Sequence, residues 1–547
     1  MDIHSTGRLR STLASLLLAA IPSAGCPAAT AAEPAPTARP NIVFVLADDQ
    51  RDDELAGAGE PYLQTPTLDR LARRGVRFAN GFVTTSICMV SRATIFTGLP
   101  MRSHGFALGS EQSVPLSQAD LAASFPVRLR EAGYRTGYYG KNHVHFEGGN
   151  RAAFDRMFDD WEIIHRNPYL KPQPDGSKRH TAELIGDRCV DFIDSQPSNQ
   201  PFFLYASFNV PHAEDRDRRP GGGHFPWPKA EDGLYEEIDP PEPRLDDPAF
   251  FETLPEFLKQ SMNRRRYFWR WDTPEKYDAN LRARYRMISG MDRIVGRLRE
   301  ALAGRELAAD TIIVFSADNG YYRGERGLAG KWSHFEESLR VPMIVYDPRL
   351  PERQRGRVVE PLVLNLDIPS TILDYAGAGV PAAYQGRSFR PLVEGEVPDD
   401  WRDDFFAEHQ QFTGGIIPGW SGVRGERYVY ARYGHQQPPY EFLHDLDEDP
   451  LQLENFADDP GYAAVLDEMR ARRESYIERY TRPQTAERVR RKLRRAESDR
   501  ATESRPRIEV APYGGGEVSF DGSGCRKLGE TPPLAVPKAP EPPTREE

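Results

Sequence analysis

Cysteine is scarce in this chain. Four occur in 547 residues, and Cys26 sits in a leader-like segment, leaving Cys88, Cys189 and Cys525. Three thiols make no disulfide framework. Long apolar runs are equally rare: the stretch from Leu13 to Ile21 is too short to cross a bilayer and none other is long enough, so no membrane span is expected. Excess positive charge is missing too. The formal net charge is -11, which argues against generic nucleic-acid binding. No internal repeat is present.

What remains is the composition of a globular protein. With 39% hydrophobic residues the chain can bury a sizeable core. Arg8 and Arg10 precede the short apolar run, and Ala29-Thr30-Ala31-Ala32 offers small residues for cleavage. Residues 1–32 therefore read as a secretory signal peptide of an exported protein, periplasmic or secreted. Ser23-Ala24-Gly25-Cys26 lacks the leucine of a lipoprotein box, so lipid anchoring through Cys26 is the weaker alternative.

Short β-branched runs at Asn41 to Leu46, Phe202 to Phe208, Thr311 to Phe315 and Met343 to Tyr346 predict buried parallel strands. Helical spacing predicts helices over Thr67 to Arg74, Ala119 to Glu131, Ala182 to Ile193, the stretch carrying Tyr285, Ile288, Met291, Val295, Leu298 and Leu302, and Ile368 to Tyr375. This alternation predicts an α/β fold: a large mixed, mostly parallel sheet sandwiched by helices, with ligands at the carboxyl ends of the strands. Residues 40–385 would form it. Phe405 to Glu408 and Arg427 to Tyr433 predict strands, and Tyr462 to Tyr480 a helix, of a smaller C-terminal α+β subdomain over 386–482. Residues 214–271, rich in Pro, Gly, Arg and Trp, read as a long insertion, either a solvated loop or a substrate lid. Residues 483–547 are charged and then Pro-rich, which predicts a flexible tail.

Asp48 and Asp49 end the first strand, and Asp318 and Asn319 end the strand from Thr311. An α/β sheet would bring these four oxygen donors to one edge, where they suit Ca²⁺ or Mg²⁺. Either pair alone reads equally well as a turn or a helix cap. Lys141, Lys331 and Arg92 taken singly could be surface charges, and His143 and His212 satisfied structural histidines. Five such groups flanking one acidic edge favour an anion site.

Cys88-Met89-Val90-Ser91-Arg92, running into Ala93-Thr94-Ile95-Phe96-Thr97-Gly98, resembles the signature of the type I sulfatase family, within the alkaline phosphatase-like superfamily. Gly140-Lys141-Asn142-His143, Val210-Pro211-His212, Gly327-Leu328-Ala329-Gly330-Lys331 and the segment from His444 to Asn455 are similar to further family motifs, in the family's order. The resemblance covers roughly Pro40 to Tyr480. It implies an alkaline phosphatase-like fold and hydrolysis of a sulfate ester, with a sulfated carbohydrate as substrate. It further implies that a formylglycine-generating enzyme oxidises Cys88 to formylglycine, whose hydrate is the nucleophile.

On the same resemblance, Asp48, Asp49, Asp318, Asn319 and the modified Cys88 are the metal ligands, with Ca²⁺ the expected ion and Mg²⁺ the alternative. Arg92 holds the hydrate, Lys141 and Lys331 neutralise sulfate oxygens, His212 protonates the departing alcohol and His143 deprotonates the remaining hydroxyl. Two residues depart from the pattern: Val90, where Pro or Ala is usual, and Arg326, where many relatives have His. A phosphonate or phosphate monoester hydrolase sharing the metal edge, and a catalytically silent glycan-binding protein, are the competing readings.

Overall fold

The computed structural model describes residues 39–502 apart from 217–218 and 220–222, together with two short strands at 517–519 and 526–528. The segment read as a signal peptide lies outside the described residues, as do Cys26 and Cys525.

Eight strands form the main sheet: β1 (Asn41–Ala47), β2 (Val76–Phe78), β3 (Arg135–Gly140), β4 (Asp160–Ile163), β5 (Phe202–Ser207), β6 (Thr311–Ala317), β7 (Met343–Tyr346) and β8 (Arg357–Val359). Their order is β8-β2-β7-β6-β1-β5-β3-β4. Only β7 runs antiparallel to its neighbours; the other pairings are parallel. The expected mixed, mostly parallel sheet is the observed one.

Strand β1 explains why helices cover both faces. Every residue of Asn41–Ala47 is buried, so both alternating sets must find apolar partners. Val43, Val45 and Ala47 enter one core with Leu68 and Leu71 of α1 (Pro66–Arg74), Ile185 and Phe192 of α5 (Thr181–Asp194), and Leu281 and Ile288 of α7 (Pro274–Gly304). Ile42, Phe44 and Leu46 enter the other with Ile95 and Phe96 of α2 (Cys88–Thr97), Phe125 of α4 (Phe125–Glu131) and Ile372 of α8 (Ile368–Ala376). Each large side chain so buried contributes about 1.5–3 kcal/mol.

The single helix predicted from Ala119 to Glu131 is two: α3 (Gln118–Ala123) ends at Ser124, and α4 begins at the Phe125-Pro126 step. Pro126 has no N–H with which to continue the α3 ladder, so the chain turns extended at Ser124 and restarts with proline in the first turn of α4. Asp404–His409, Trp420–Gly425, Tyr428–Tyr433 and Tyr440–Asp445 form an antiparallel four-stranded sheet, β9 to β12. It packs with α9 (Ala463–Tyr480). Within the segment read as a tail, Pro483–Thr502 is helix α10. Polar contacts hold its first half: Thr485 donates to the Ser103 carbonyl at 2.7 Å, and Arg488 pairs with Glu147 at 2.7 Å. No helix among the described residues is long and apolar enough to cross a membrane.

Candidate active site

Four adjacent parallel strands deliver the polar groups. In the β1/β6 register Ala47 lies beside Ala317, so Asp48 and Asp49 emerge next to Asp318 and Asn319. On the other side of β1, Leu46 lies beside Ser207 and Ser207 beside Gly140, which brings the His212 loop and the Lys141-to-His143 turn to the same edge. The carboxyl ends of neighbouring strands are where an open α/β sheet exposes its loops. Gly140 is required here: at φ +121° an added Cβ would lie 1.9 Å from the Ser207 carbonyl oxygen.

The acidic edge is fully buried. The Asp49 amide donates to Asp318 Oδ1 at 3.1 Å, and Asn319 Nδ2 donates to Asp49 Oδ1 at 2.8 Å. Asp49 has φ +67°, a left-handed conformation that aspartate tolerates better than most residues. Arg284 of α7, itself fully buried, fixes this turn. It donates to the carbonyls of Asp49 and Pro211, and its Nε donates to Glu54 at 2.5 Å. Sequence reading passed over Arg284, although a cation at helical spacing between Leu281 and Ile288 was the available signal.

Cys88 opens α2, in which only Met89 escapes burial. The helix stops at Gly98, whose φ is +63° and whose amide bonds the Thr94 carbonyl at 2.8 Å; a Cβ there would meet the Tyr384 ring at 2.3 Å. Cys88 Sγ lies 3.7 Å from His143 Nδ1. One turn on, Arg92 is fully buried and donates to Asp318 Oδ2 at 2.8 Å, to the Lys141 carbonyl at 2.9 Å, to Ser207 and to the Phe208 carbonyl at 3.3 Å. Its nitrogens hold the strand ends together. Val90 packs with Ile87, Met101 and Trp332.

Charges pair across the edge. Lys141 Nζ lies 2.5 Å from Asp48 Oδ2, and Lys331 bonds Asp49 Oδ1. His212 Nδ1 faces the Ala213 carbonyl at 2.7 Å, which directs Nε2 into the site, 3.5 Å from Asp49 Oδ2. Burial, with Asp318 beside it, pushes the Asp48 pKa up, whereas for Asp49 the opposing charges of His212 and Lys331 outweigh burial and bring it down. Both imidazoles are held well below their ordinary range. For His143, an exposed residue, the causes are desolvation by the neighbouring groups and then the charges of Lys141 and Arg166; for His212 they are burial and then Arg166.

Three buried oxygens on this edge, Asp48 Oδ1, Asp49 Oδ2 and Asn319 Oδ1, lack a hydrogen-bond partner among the described residues. Unpaired buried oxygens are costly, and hard oxygen donors suit Ca²⁺ or Mg²⁺. Donor atoms of Asp48, Cys88 and Asp318 lie within 4.8 Å of one another, as do those of Asp48, Asp49 and His212. The donor set therefore fits a hard divalent cation, and it adds His212 to the groups within reach of one. Arg326, by contrast, bonds the Leu451 and Gln452 carbonyls, away from this edge.

Residues 40–378 match the family model described as Sulfatase, and residues 324–479 that described as N-sulphoglucosamine sulphohydrolase, C-terminal. The chain belongs to the sulfatase family. Among its relatives, an N-acetylglucosamine-6-O-sulfatase of Bacteroides thetaiotaomicron is 26% identical over 535 residues, 86% of this chain and 91% of the relative. An arylsulfatase of Clostridium perfringens is 27% identical, covering 79% of this chain and 93% of its own. Of solved structures, a phosphonate monoester hydrolase of Agrobacterium radiobacter superposes with a TM-score of 0.67 at 23% identity, over 81% of this chain and 96% of that one. This sulfatase thus shares the alkaline phosphatase-like fold.

Proposed function

We propose that this sulfatase is exported and hydrolyses a sulfate ester of a carbohydrate, using formylglycine made from Cys88 and a divalent cation, Ca²⁺ before Mg²⁺. The carrying observation is the clustering of the Cys88, Asp48 and Asp318 donor atoms within 4.8 Å at the start of a buried helix. A relative acting as an N-acetylglucosamine-6-O-sulfatase and another named a delta 4,5-hexuronate-2-O-sulfatase, each covering most of both chains, support the sugar substrate.

Asp48, Asp49, Asp318 and Asn319 would hold the cation, which supplies positive charge toward the sulfate oxygens and the attacking hydroxyl. Position 88, as an aldehyde hydrate, supplies one hydroxyl to attack sulfur and a second whose deprotonation releases sulfate, a route closed to a plain thiol. Lys141 and Lys331 reach the anion from two sides. Arg92 acts by holding Asp318 and the Lys141 turn in place. His212, with Nε2 directed inward, protonates the departing sugar oxygen once the bound sulfate anion has raised its pKa and loaded Nε2 with a proton, and His143, beside Cys88, takes the proton from the remaining hydroxyl. Met262–Arg270, helix α6, lies in the 214–271 insertion and serves as a wall for the sugar.

Sulfate release from a panel of defined sulfated saccharides, by protein coexpressed with a formylglycine-generating enzyme, tests this reading. Turnover by the native chain and none by Cys88→Ala is expected. Equal turnover by both would contradict it.

A further inference from the structure

Three guanidinium groups converge on one carboxylate beside the site. Asp215 accepts from Arg270 at 2.7 Å and from Arg266 at 3.0 Å, and Arg166 lies 3.4 Å away. One carboxylate does not need three cations. Arg270 is fully buried and also donates to Tyr321 at 3.2 Å, which accounts for it as a structural group. The side chains of Arg166 and Arg266 retain 12% and 13% exposure, and Arg166 Nε and Arg266 Nε and Nη1 have no hydrogen-bond partner among the described residues.

The cluster touches the reaction edge at two points. Asp215 Oδ2 lies 3.9 Å from His212 Nε2. The Arg266 guanidinium stacks 4.7 Å above the ring of Trp332, the residue after Lys331. An anion held there would lie beside His212, the group proposed above to protonate the departing sugar oxygen.

We infer that Arg266, with Arg166 beside it, binds a second anionic substituent of the sugar whose sulfate is cleaved, either a further sulfate or a carboxylate. The inference rests on the sulfated-carbohydrate reading above and narrows it to doubly charged substrates. Asp215 aligns the two guanidiniums, each of which keeps part of its side chain exposed for the incoming oxyanion.

Binding to the full-length Cys88→Ala protein, measured by calorimetry at low salt, tests the subsite without turnover. One sugar pair is glucosamine 2-N,6-O-disulfate and N-acetylglucosamine 6-sulfate; the other is glucuronic acid 2-sulfate and glucose 2-sulfate. In at least one pair the doubly charged member should bind roughly ten-fold or more tighter, the worth of a charge-assisted hydrogen bond. The pair showing it identifies sulfate or carboxylate.

Adding Arg266→Ala should collapse that preference to within about two-fold, while adding Arg264→Ala should keep it. Arg264 is on the same helix but stacks 3.9 Å from the Phe251 ring and donates to the Gly327 carbonyl. Absence of any preference in both pairs, or an equal loss in the Arg264 and Arg266 variants, would overturn the inference. Failure of the sulfatase reading itself would show separately, as absence of sulfate release by the matured native enzyme.

Discussion

Asp49 and Asp318 are joined by a single bond, from the Asp49 amide to Asp318 Oδ1 at 3.1 Å. It fastens the ends of two parallel strands whose residues are 269 positions apart in sequence, and it sets the spacing of the acidic edge. Each carboxylate on that edge has its own cation: Asp48 has Lys141, Asp49 has Lys331 and Asp318 has Arg92.

Arg92→Ala should be strongly destabilising. Both partners of the Arg92–Asp318 pair are fully buried, and removing one leaves an uncompensated charge, which costs about 3–5 kcal/mol. Urea unfolding followed by circular dichroism measures this. A loss below about 1 kcal/mol would mean that Asp318 finds another partner.

Chelation should both inactivate and destabilise the enzyme. If Asp48, Asp49, Asp318 and Asn319 hold a cation only in the folded chain, Ca²⁺ at a thousand times its Kd adds about 4 kcal/mol of stability. Thermal unfolding with EDTA and then with graded Ca²⁺ should show a rising midpoint, with sulfate release returning in parallel. Asp318→Asn should shift the Ca²⁺ dependence to higher concentration. A midpoint indifferent to Ca²⁺ would refute the site.

His180 predicts a loss of stability in acid. It is buried, receives the Ala182 amide on Nδ1 at 3.2 Å and faces the Pro226 carbonyl with Nε2 at 3.1 Å, and burial pushes its pKa down to about 4. The unfolded imidazole, with a pKa of about 6.5, binds more protons between the two values, so stability rises with pH across that window. The His180 contribution is complete above about pH 6.5 and falls by about 3 kcal/mol as pH drops through 4. His180→Asn should flatten unfolding free energy against pH in that range; an unchanged slope would assign the acid sensitivity elsewhere.

Much of the fold was legible because buried parallel strands such as Asn41–Ala47 and Thr311–Ala317 are continuous apolar runs. Strands β3, with Arg135 and two glycines, and β4, with the half-exposed run Asp160–Ile163, carry no such signal. Helix α10 was hidden by its charge, since Thr485 and Arg488 anchor it through polar contacts.

The acidic edge was readable as a motif because each pair directly follows a strand. The Arg166–Asp215–Arg266 cluster was not, because its members come from separate segments, with the Arg166–Asp215 and Arg266–Asp215 pairs 49 and 51 positions apart. No local pattern encodes such a meeting.

The most direct test concerns position 88. Preparations of the native chain made with graded amounts of formylglycine-generating enzyme can be compared by mass spectrometry of the peptide spanning Cys88 and by initial rate of sulfate release. The rate should rise in proportion to the aldehyde fraction and extrapolate to zero at none. Full activity in a preparation whose Cys88 is entirely thiol would contradict the account.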